Sequence, residues 1–283
     1  MFDAGEEAPR LSERAFRRLA ELVEKQVGIR MPPGKRVMLE GRLRRRLRER
    51  GMTGFNEYCD FLFQKGGLEE ELGDLIDVVT TNKTEFFREP KHFEYLISEV
   101  LPDLTRRGFG VERPLRVWSA GCSVGAEAYT LAMVLSEWGR NQPEFSVEIL
   151  GTDVCSTVLK TATKAMYSEE MAEPIPLEMR RRYLLRSRDR AARLIRMAPE
   201  VRGLACFSRL NFMDADYRLP TLQDVVFCRN VIIYFDNAVR LAVLGRICRC
   251  MIPGGFLFMG HSETIDGLHL PLRKVSSTVY VRT

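Results

Sequence analysis

An all-α helical part followed by an α/β part with a mainly parallel sheet is the fold this sequence predicts, and three observations predict it. Apolar residues recur at helical spacing through the first eighty positions, without strand-like alternation. From Leu115 onward, short β-branched or aromatic runs alternate with helical stretches, the pattern of a parallel sheet covered by helices. The alternation opens with LRVWSAGCSVGAEAY, in which Leu115, Val117 and Trp118 read as a buried strand, Gly121 to Gly125 as a tight loop, and Glu127 onward as a helix. Glycines beyond the carboxyl end of such a strand let backbone approach a ligand closely. The spacing is Gly-x-x-x-Gly and Glu127 occupies the first helical turn, so a cationic ligand suits the loop better than a dinucleotide phosphate. The helix dipole explains an acid at that position equally well.

In the helical part, Ser12 caps a helix that carries Phe16, Leu19, Ala20 and Val23 on one face and ends near Gly28. A second helix, Lys35 to Arg50, holds eight Lys or Arg against Glu40 and Glu49, with Leu39, Leu43 and Leu47 as its apolar stripe, and Gly51 stops it. Two more follow, around Tyr58, Phe61 and Leu62 and through Leu72, Leu75, Ile76 and Val79, so that residues 1–79 form a small bundle. Residues 80–113 connect it to the rest. There TTNKTEFFREP offers hydroxyl and amide groups, a Phe86–Phe87 wedge and Arg88, and on composition Thr84 caps a helix continuing through Phe93 and Leu96. Gly108, Gly110 and Pro114 mark the better domain boundary, before an α/β domain over 114–283.

Within that domain, Val147 to Leu150 form a strand ending in Gly151, Thr152 and Asp153, followed by a helix from about Thr157 to Tyr167. Asp153 stands where such folds place an acid on ribose hydroxyls, and equally where an acid caps the next helix. Short antiparallel strands interrupt the alternation over 183–210. Val225 to Cys228 and Val231 to Phe235 then flank Arg229 and Asn230, a helix runs from about Asn237 to Met251, and FLFMG and Val279 to Val281 complete the sheet.

Composition excludes several classes. With 45% apolar and 29% charged residues the chain is globular, and no run approaches the roughly 18 apolar residues of a membrane span. The start MFDAGEEAPR has acids where a signal peptide needs basic and then apolar residues, so a cytoplasmic location is expected. Seven cysteines without CxxC or Cys/His spacing read as reduced thiols, mostly core. His92, His261 and His269 are too scattered along the chain to suggest a metal or a base, and no metal is expected. The net charge of +5 is small, so the placement of the basic residues matters more than their number.

Across some 190 residues, TTNKTEFFREP, VWSAGCSVGAEAYTLAMVL, GTDV, FCRNVIIYFD and GGFLFMGHSE, in that order, resemble the chemotaxis receptor methyltransferases, the CheR family. The resemblance implies a class I S-adenosylmethionine-dependent methyltransferase fold, Rossmann-like, with an N-terminal all-α domain and a small antiparallel β-subdomain at about 183–210. It implies methylation of glutamate side chains on chemoreceptors, with S-adenosylhomocysteine as the product. Carried over position by position, the cofactor contacts would be Asn82, Thr84, Arg88, Glu127, Asp153, Asn211, Phe212, Arg229 and Asn230. Arg88 and Tyr234 would stand beside the reacting groups as the catalytic residues. Where the family usually has Gly-Glu-Glu-Pro-Tyr-Ser, this chain has Gly125, Ala126, Glu127, Ala128, Tyr129 and Thr130. Cys155 stands where a second acid is common, and Phe212 replaces a usual leucine, departures that bear on affinity more than on reaction class.

The implied reaction needs no triad or metal. A glutamate side chain, with an ordinary pKa of about 4.3, is already an ionised nucleophile at neutral pH, and what remains is alignment, worth on the order of 7 to 11 kcal/mol in the best cases. Arg88 would hold a carboxylate by a charge-assisted fork and the Tyr234 hydroxyl would orient one oxygen. The region of Lys35, Arg42, Arg45 and Arg46 is predicted to dock acidic receptor helices, since Glu40 and Glu49 cannot neutralise so dense a run. Some family members tether a receptor C-terminal peptide at the β-subdomain edge; the candidate turn Arg188-Asp189-Arg190 lacks glycine, and the balance is against it here.

A methyltransferase of another substrate class is the first alternative, but the Asn/Asp-Pro-Pro-Tyr/Phe motif of amino-group methyltransferases is missing at Arg229-Asn230-Val231. A non-catalytic S-adenosylmethionine-binding docking module is the second, and Arg88, Asp153 and Tyr234 argue against it. A nucleic-acid binder would want aromatic residues interleaved with the basic run. The chain is expected to act as a monomer, without nucleic acid or membrane insertion.

Overall fold

The computed structural model describes residues 10–265 and 267–283, the side chain of Arg190 excepted; nearly all of the acidic start MFDAGEEAPR lies outside them. The chain divides into two compact units, one running to Thr81 and including Tyr234–Asp236, the other comprising Asn82–Ile233 and Asn237–Thr283.

The smaller unit is the expected helical bundle: α1 (Glu13–Val27), α2 (Arg36–Glu49), α3 (Phe55–Phe63) and α4 (Leu68–Val79). Ser12 caps α1 by accepting the Ala15 N–H, and Gly28 ends it at φ 74°, a left-handed conformation glycine adopts without penalty. Leu39, Leu43 and Leu47 of α2 are buried as the stripe requires.

The charge of α2 is distributed differently from the expectation. Arg46 places Nε and Nη2 2.6 and 2.7 Å from the carboxylate of Glu71 on α4, and also pairs with Asp74. Arg50 reaches Glu70 at 2.6 Å and Glu71 at 2.7 Å. Glu71 is fully buried and takes a further bond from the Tyr58 hydroxyl at 2.9 Å. Burial by itself would raise the Glu71 pKa, but the bonds from Arg46, Arg50 and Tyr58 outweigh it and hold the carboxyl below its usual range. Arg42 turns inward as well, donating to the carbonyls of Val79 at 2.7 Å and Thr80 at 2.9 Å, where α4 leaves its last acceptors unfilled. Arg42 and Arg46 therefore hold α2 to α4, and their side chains are engaged within the bundle. Two of the acids that neutralise Arg46, Glu71 and Asp74, lie 25 and 28 residues away on another helix. Arg36, Val37, Arg45 and Arg48 remain exposed.

The larger unit opens with α5 (Lys91–Tyr95), a π turn (Leu96–Val100) and α6 (Leu101–Arg106), then alternates β1 (Leu115–Ala120), α7 (Ala126–Gly139), β2 (Val147–Asp153) and α8 (Ser156–Lys164). After β3 (Met166–Ser168), α9 (Leu177–Tyr183), β4 (Leu184–Arg186), β5 (Leu194–Met197) and α10 (Pro199–Arg202), the chain returns to the sheet with β6 (Ala205–Arg209) and β7 (Gln223–Cys228). It finishes with α11 (Asn237–Arg249), β8 (Met251–Met259), β9 (Leu272–Ser276) and β10 (Val279–Arg282). Seven strands form one sheet in the order β6-β2-β1-β7-β8-β10-β9. The first five are parallel, β10 runs antiparallel to β8, and β9, antiparallel to β10, closes the far edge in the direction of the first five. Strand order reverses between β1 and β7, which makes their carboxyl ends the switch point where such sheets bind ligands.

Four details differ from the sequence expectation. Residues 82–113 belong to this unit's core, with Phe86, Phe93, Leu96, Val100, Leu101 and Leu104 packed among residues of β1 and α7, so the break falls at Thr81 and not near Pro114. Thr84 caps no helix; α5 begins only at Lys91, behind Pro90. The small antiparallel sheet, β3-β5-β4, recruits Met166–Ser168, whereas Ala205–Arg209 join β2 in the main sheet. After Asn230 the chain forms a 3-10 turn, Ile232–Tyr234, in place of an extended run.

Candidate active site

The glycine loop between β1 and α7 is built around two left-handed glycines, Gly121 at φ 86° and Gly125 at φ 88°. The N–H groups of Gly121 and Cys122 both donate to the Thr152 carbonyl, drawing the loop against the end of β2. A Cβ on Gly121 would come within 2.5 Å of Val231 Cγ2, and one on Gly125 within 2.9 Å of Ala162 Cβ. Tyr167 supports the loop from below by donating its hydroxyl to the Val124 carbonyl at 2.7 Å and packing edge-on against Phe86.

Asp153 ends β2 with its carboxylate fixed by two backbone donors, Ser123 N at 2.9 Å and Cys155 N at 3.0 Å. It accepts from the glycine loop and from the start of α8 together, so the capping and ligand readings of its position are compatible. Asn82 lies over the same place: its carbonyl accepts from the Ser123 hydroxyl at 2.9 Å and its amide approaches Cys155 Sγ at 3.6 Å. Leu210 N donates to the Asp153 carbonyl, which brings Asn211 and Phe212, beyond the end of β6, alongside. Phe212 is buried with its ring edge-on to Tyr217. Thr84 is half-buried in the loop of residues 82–90.

Glu127, in the first turn of α7, accepts from Ser119 Oγ at 2.7 Å and from Arg229 Nε at 2.7 Å. Arg229 follows the last residue of β7 with a side chain only 2% exposed. Its Nη1 donates to the Arg88 carbonyl at 2.7 Å, and its guanidinium lies over the rings of Phe93 and Phe227. The side chain of Arg229 thus faces the interior, bridging the acid of α7 to the backbone of the 82–90 segment. Asn230, left-handed at φ 59°, donates its N–H to Glu263 at 2.8 Å and its amide to Glu89 at 3.4 Å. Arg88 folds back to the Lys83 carbonyl at 3.2 Å. Tyr234 groups with the smaller unit, where its carbonyl accepts from Arg30 N and Lys35 Nζ lies 5.4 Å from its ring centre.

Two of the three histidines, His92 and His261, are brought together in space. The rings of His92 and His261 meet edge-to-face at 4.9 Å, and Glu89 joins them, with possible ligand atoms of all three within 4.8 Å of one another. The Arg229 guanidinium stands 3.1 Å from His92 Nδ1, so a cation of the protein itself already occupies that ground. Nδ1 facing an N–H must accept, which leaves Nε2 to carry the proton and donate to Thr278 Oγ1 at 2.6 Å. Burial, and then the Arg229 charge, push the His92 pKa down to about 4. Burial would raise Glu89, but Arg229 and the His261 N–H outweigh it and hold the carboxyl ionised. Glu263, also buried, is raised by burial against the N–H groups of Asn230 and Gly260 that it accepts. Glu89, His92 and Glu263 were not among the residues expected from sequence, although the i, i+3 spacing of Glu89 and His92 was a visible signal.

The switch point, the glycine loop between β1 and α7 and the acid at the end of β2 have the architecture of the Rossmann-like methyltransferases, which bind a nucleoside cofactor in an open α/β sheet. Residues 82–281 match the family described as CheR methyltransferase, SAM binding domain, and residues 14–80 match CheR methyltransferase, all-alpha domain. The chain is 36% identical over 252 residues to the chemotaxis protein methyltransferase of Borreliella burgdorferi, covering 88% of each. It is 36% identical to chemotaxis protein methyltransferase 2 of Pseudomonas aeruginosa, covering 94% of this chain and 91% of that one. With the Escherichia coli chemotaxis protein methyltransferase it shares 34% identity over 95% of this chain and 91% of that one. The chain belongs to the CheR methyltransferase family, and its cofactor is S-adenosylmethionine. The residues present fit that group: a loop with two left-handed glycines beyond β1, an acid at the end of β2 and a second acid, Glu127, in the first turn of α7.

Proposed function

We propose that this chain methylates glutamate side chains of chemoreceptors, giving glutamate methyl esters, in the cytoplasm and as a single chain. The observation that carries the reading is the state of His92. The histidine buried in the site has both nitrogens engaged and a pKa near 4, so it is no general base. An acceptor that is already an anion needs none.

Bound S-adenosylmethionine supplies an electrophilic methyl on a sulfonium. Asp153, fixed by Ser123 N and Cys155 N, would take the ribose hydroxyls, and Glu127 the cationic amino group. A carboxylate accepts about four hydrogen bonds, and the two from Ser119 and Arg229 leave Glu127 room. Asn82 closes over the glycine loop through Ser123. Arg88 would hold the acceptor carboxylate by its planar fork.

The exposed α2 residues Arg36, Arg45 and Arg48 are the docking surface proposed for the acidic receptor helix, in place of the inward-turned Arg42 and Arg46. Steering by such a field fades over a Debye length of about 8 Å at physiological salt. Arg45→Glu with Arg48→Glu should raise the receptor KM at low salt and leave cofactor affinity unchanged; an unchanged KM would mark these residues as an ordinary solvated face.

The deciding experiment incubates the protein with methyl-labelled S-adenosylmethionine and either a receptor cytoplasmic segment or RNA. Label that enters the receptor segment and leaves as methanol in mild base is expected. Base-stable label, or label in RNA, would overturn the reading.

A further inference from the structure

We propose that Glu89 and His92, acting through Arg229, are positioning residues for methyl transfer, because they fix the loop that presents Arg88. The inference rests on the role given to Arg88 above. Arg88 lies between two non-glycine residues in the left-handed region, Phe87 at φ 55° and Glu89 at φ 56°. Such residues are strained and persist only where the surroundings over-determine them.

The surroundings do so from three sides. From α7, Thr130 Oγ1 accepts the Phe87 N–H at 3.1 Å. From the end of β7, Arg229 Nη1 donates to the Arg88 carbonyl at 2.7 Å. Glu89 is held by the Asn230 amide at 3.4 Å, the His261 N–H at 3.3 Å and Arg229 Nη1 at 3.4 Å.

Arg229 is therefore the pin of the loop, and Glu89 and His92 form its socket with Glu127. A buried guanidinium needs an anion and satisfied donors on every side. Glu127 takes Nε, Glu89 supplies the second charge, and His92 closes the socket as a neutral acceptor anchored on Thr278. Loss of either Glu89 or His92 frees Arg229 to shift, and the Arg88 carbonyl shifts with it. A misplacement of about 1 Å at a reacting group costs on the order of a hundredfold in rate.

The test is a set of Glu89→Ala, His92→Leu and His92→Asn variants, checked for folding by circular dichroism and thermal midpoint. Receptor methylation gives kcat and KM, and calorimetry gives S-adenosylhomocysteine affinity. Glu89→Ala and His92→Leu should lose tenfold to a hundredfold in kcat, with KM and affinity within threefold of the parent. His92→Asn, which keeps an acceptor near the Nδ1 position, should recover part of the loss. In an Arg88→Ala background, adding Glu89→Ala should cost no more than a further twofold, since the residue through which it acts is gone. A merely structural role would multiply in full, and that result overturns the proposal, as does a Glu89→Ala kcat within twofold of the parent. If Arg88→Ala is itself silent, the assignment of Arg88 has failed and the proposal with it. If Arg88→Ala is impaired but Glu89→Ala is not, the proposal alone has failed. Should Glu89→Ala not fold, Glu89→Gln keeps the volume and one acceptor, and a threefold to tenfold loss in kcat is expected in its place; none would overturn the proposal.

Discussion

Replacing Glu71 with glutamine tests whether the basic helix is held by the fold before it meets any partner. The side chain is fully buried and its two oxygens take four bonds, from Arg46 Nε and Nη2, Arg50 Nε and the Tyr58 hydroxyl, at 2.6 to 2.9 Å. Glutamine keeps the shape and one acceptor but removes the charge and turns a donor toward two guanidinium groups. Breaking a buried ion pair from one side costs about 3–5 kcal/mol. Arg46 and Arg50 are 15% and 23% exposed and retain Asp74, Glu49 and Glu70, so the lower figure applies, about 3 kcal/mol. In a domain of 60–100 residues each kcal/mol moves the melting point by about 4–8 °C, so a fall of more than 10 °C is expected for this unit. Scanning calorimetry of the full chain, with urea denaturation beside it, reads the change. Arg45→Ala with Arg48→Ala, both exposed, should stay within about 2 °C, as surface substitutions do. A Glu71→Gln transition within 2 °C of the parent, or an equal fall for the exposed pair, would refute the assignment of Arg46 and Arg50 to the bundle. Because the folded pKa of Glu71 is depressed, its contribution is present at neutral pH and is lost as pH falls through that lowered value.

Asp153→Asn should weaken S-adenosylhomocysteine binding tenfold or more by calorimetry, since each charge-assisted bond is worth about 1.5–3 kcal/mol; unchanged affinity in a folded variant would retire the ribose assignment. Arg88→Ala should abolish most turnover and Arg88→Lys should also be impaired, because lysine keeps the charge and loses the fork; wild-type rates in both would remove Arg88 from the reaction. His92 titrates near 4 in the folded chain against an ordinary 6.5, so the unfolded chain takes the proton first as pH falls. Stability is full above pH 6.5 and drains between 6.5 and 4, by roughly 3 kcal/mol. His92→Asn should lack that component in urea titrations across the window, and an identical pH slope would refute it.

Much of the architecture was readable residue by residue because the signals are local. The stripe Leu39, Leu43, Leu47 repeats at the helical period, Gly28 marks the end of α1, and the run from Leu115 to Gly125 spells a strand and its loop, so each element declares itself within one or two turns of chain. The positions of Asp153 and Glu127 followed from the same logic, since a strand end and a helix start are sequence landmarks. Local logic failed where a distant group outweighed it. Thr84 has the chemistry of a cap, yet its segment is shaped by Thr130 and Arg229, far along the chain. Glu127 also takes a bond from Arg229, which β7 delivers from 102 positions away. The arginines of α2 looked unneutralised because Glu71 and Asp74 belong to another helix. His92 and His261 stand 169 positions apart in sequence and 4.9 Å apart in space because α5 packs beside the carboxyl end of β8. Periodicity and propensity are short-range properties of the backbone, whereas charge pairing and burial depend on which elements the sheet order makes neighbours, and that order emerges only when the whole core packs at once.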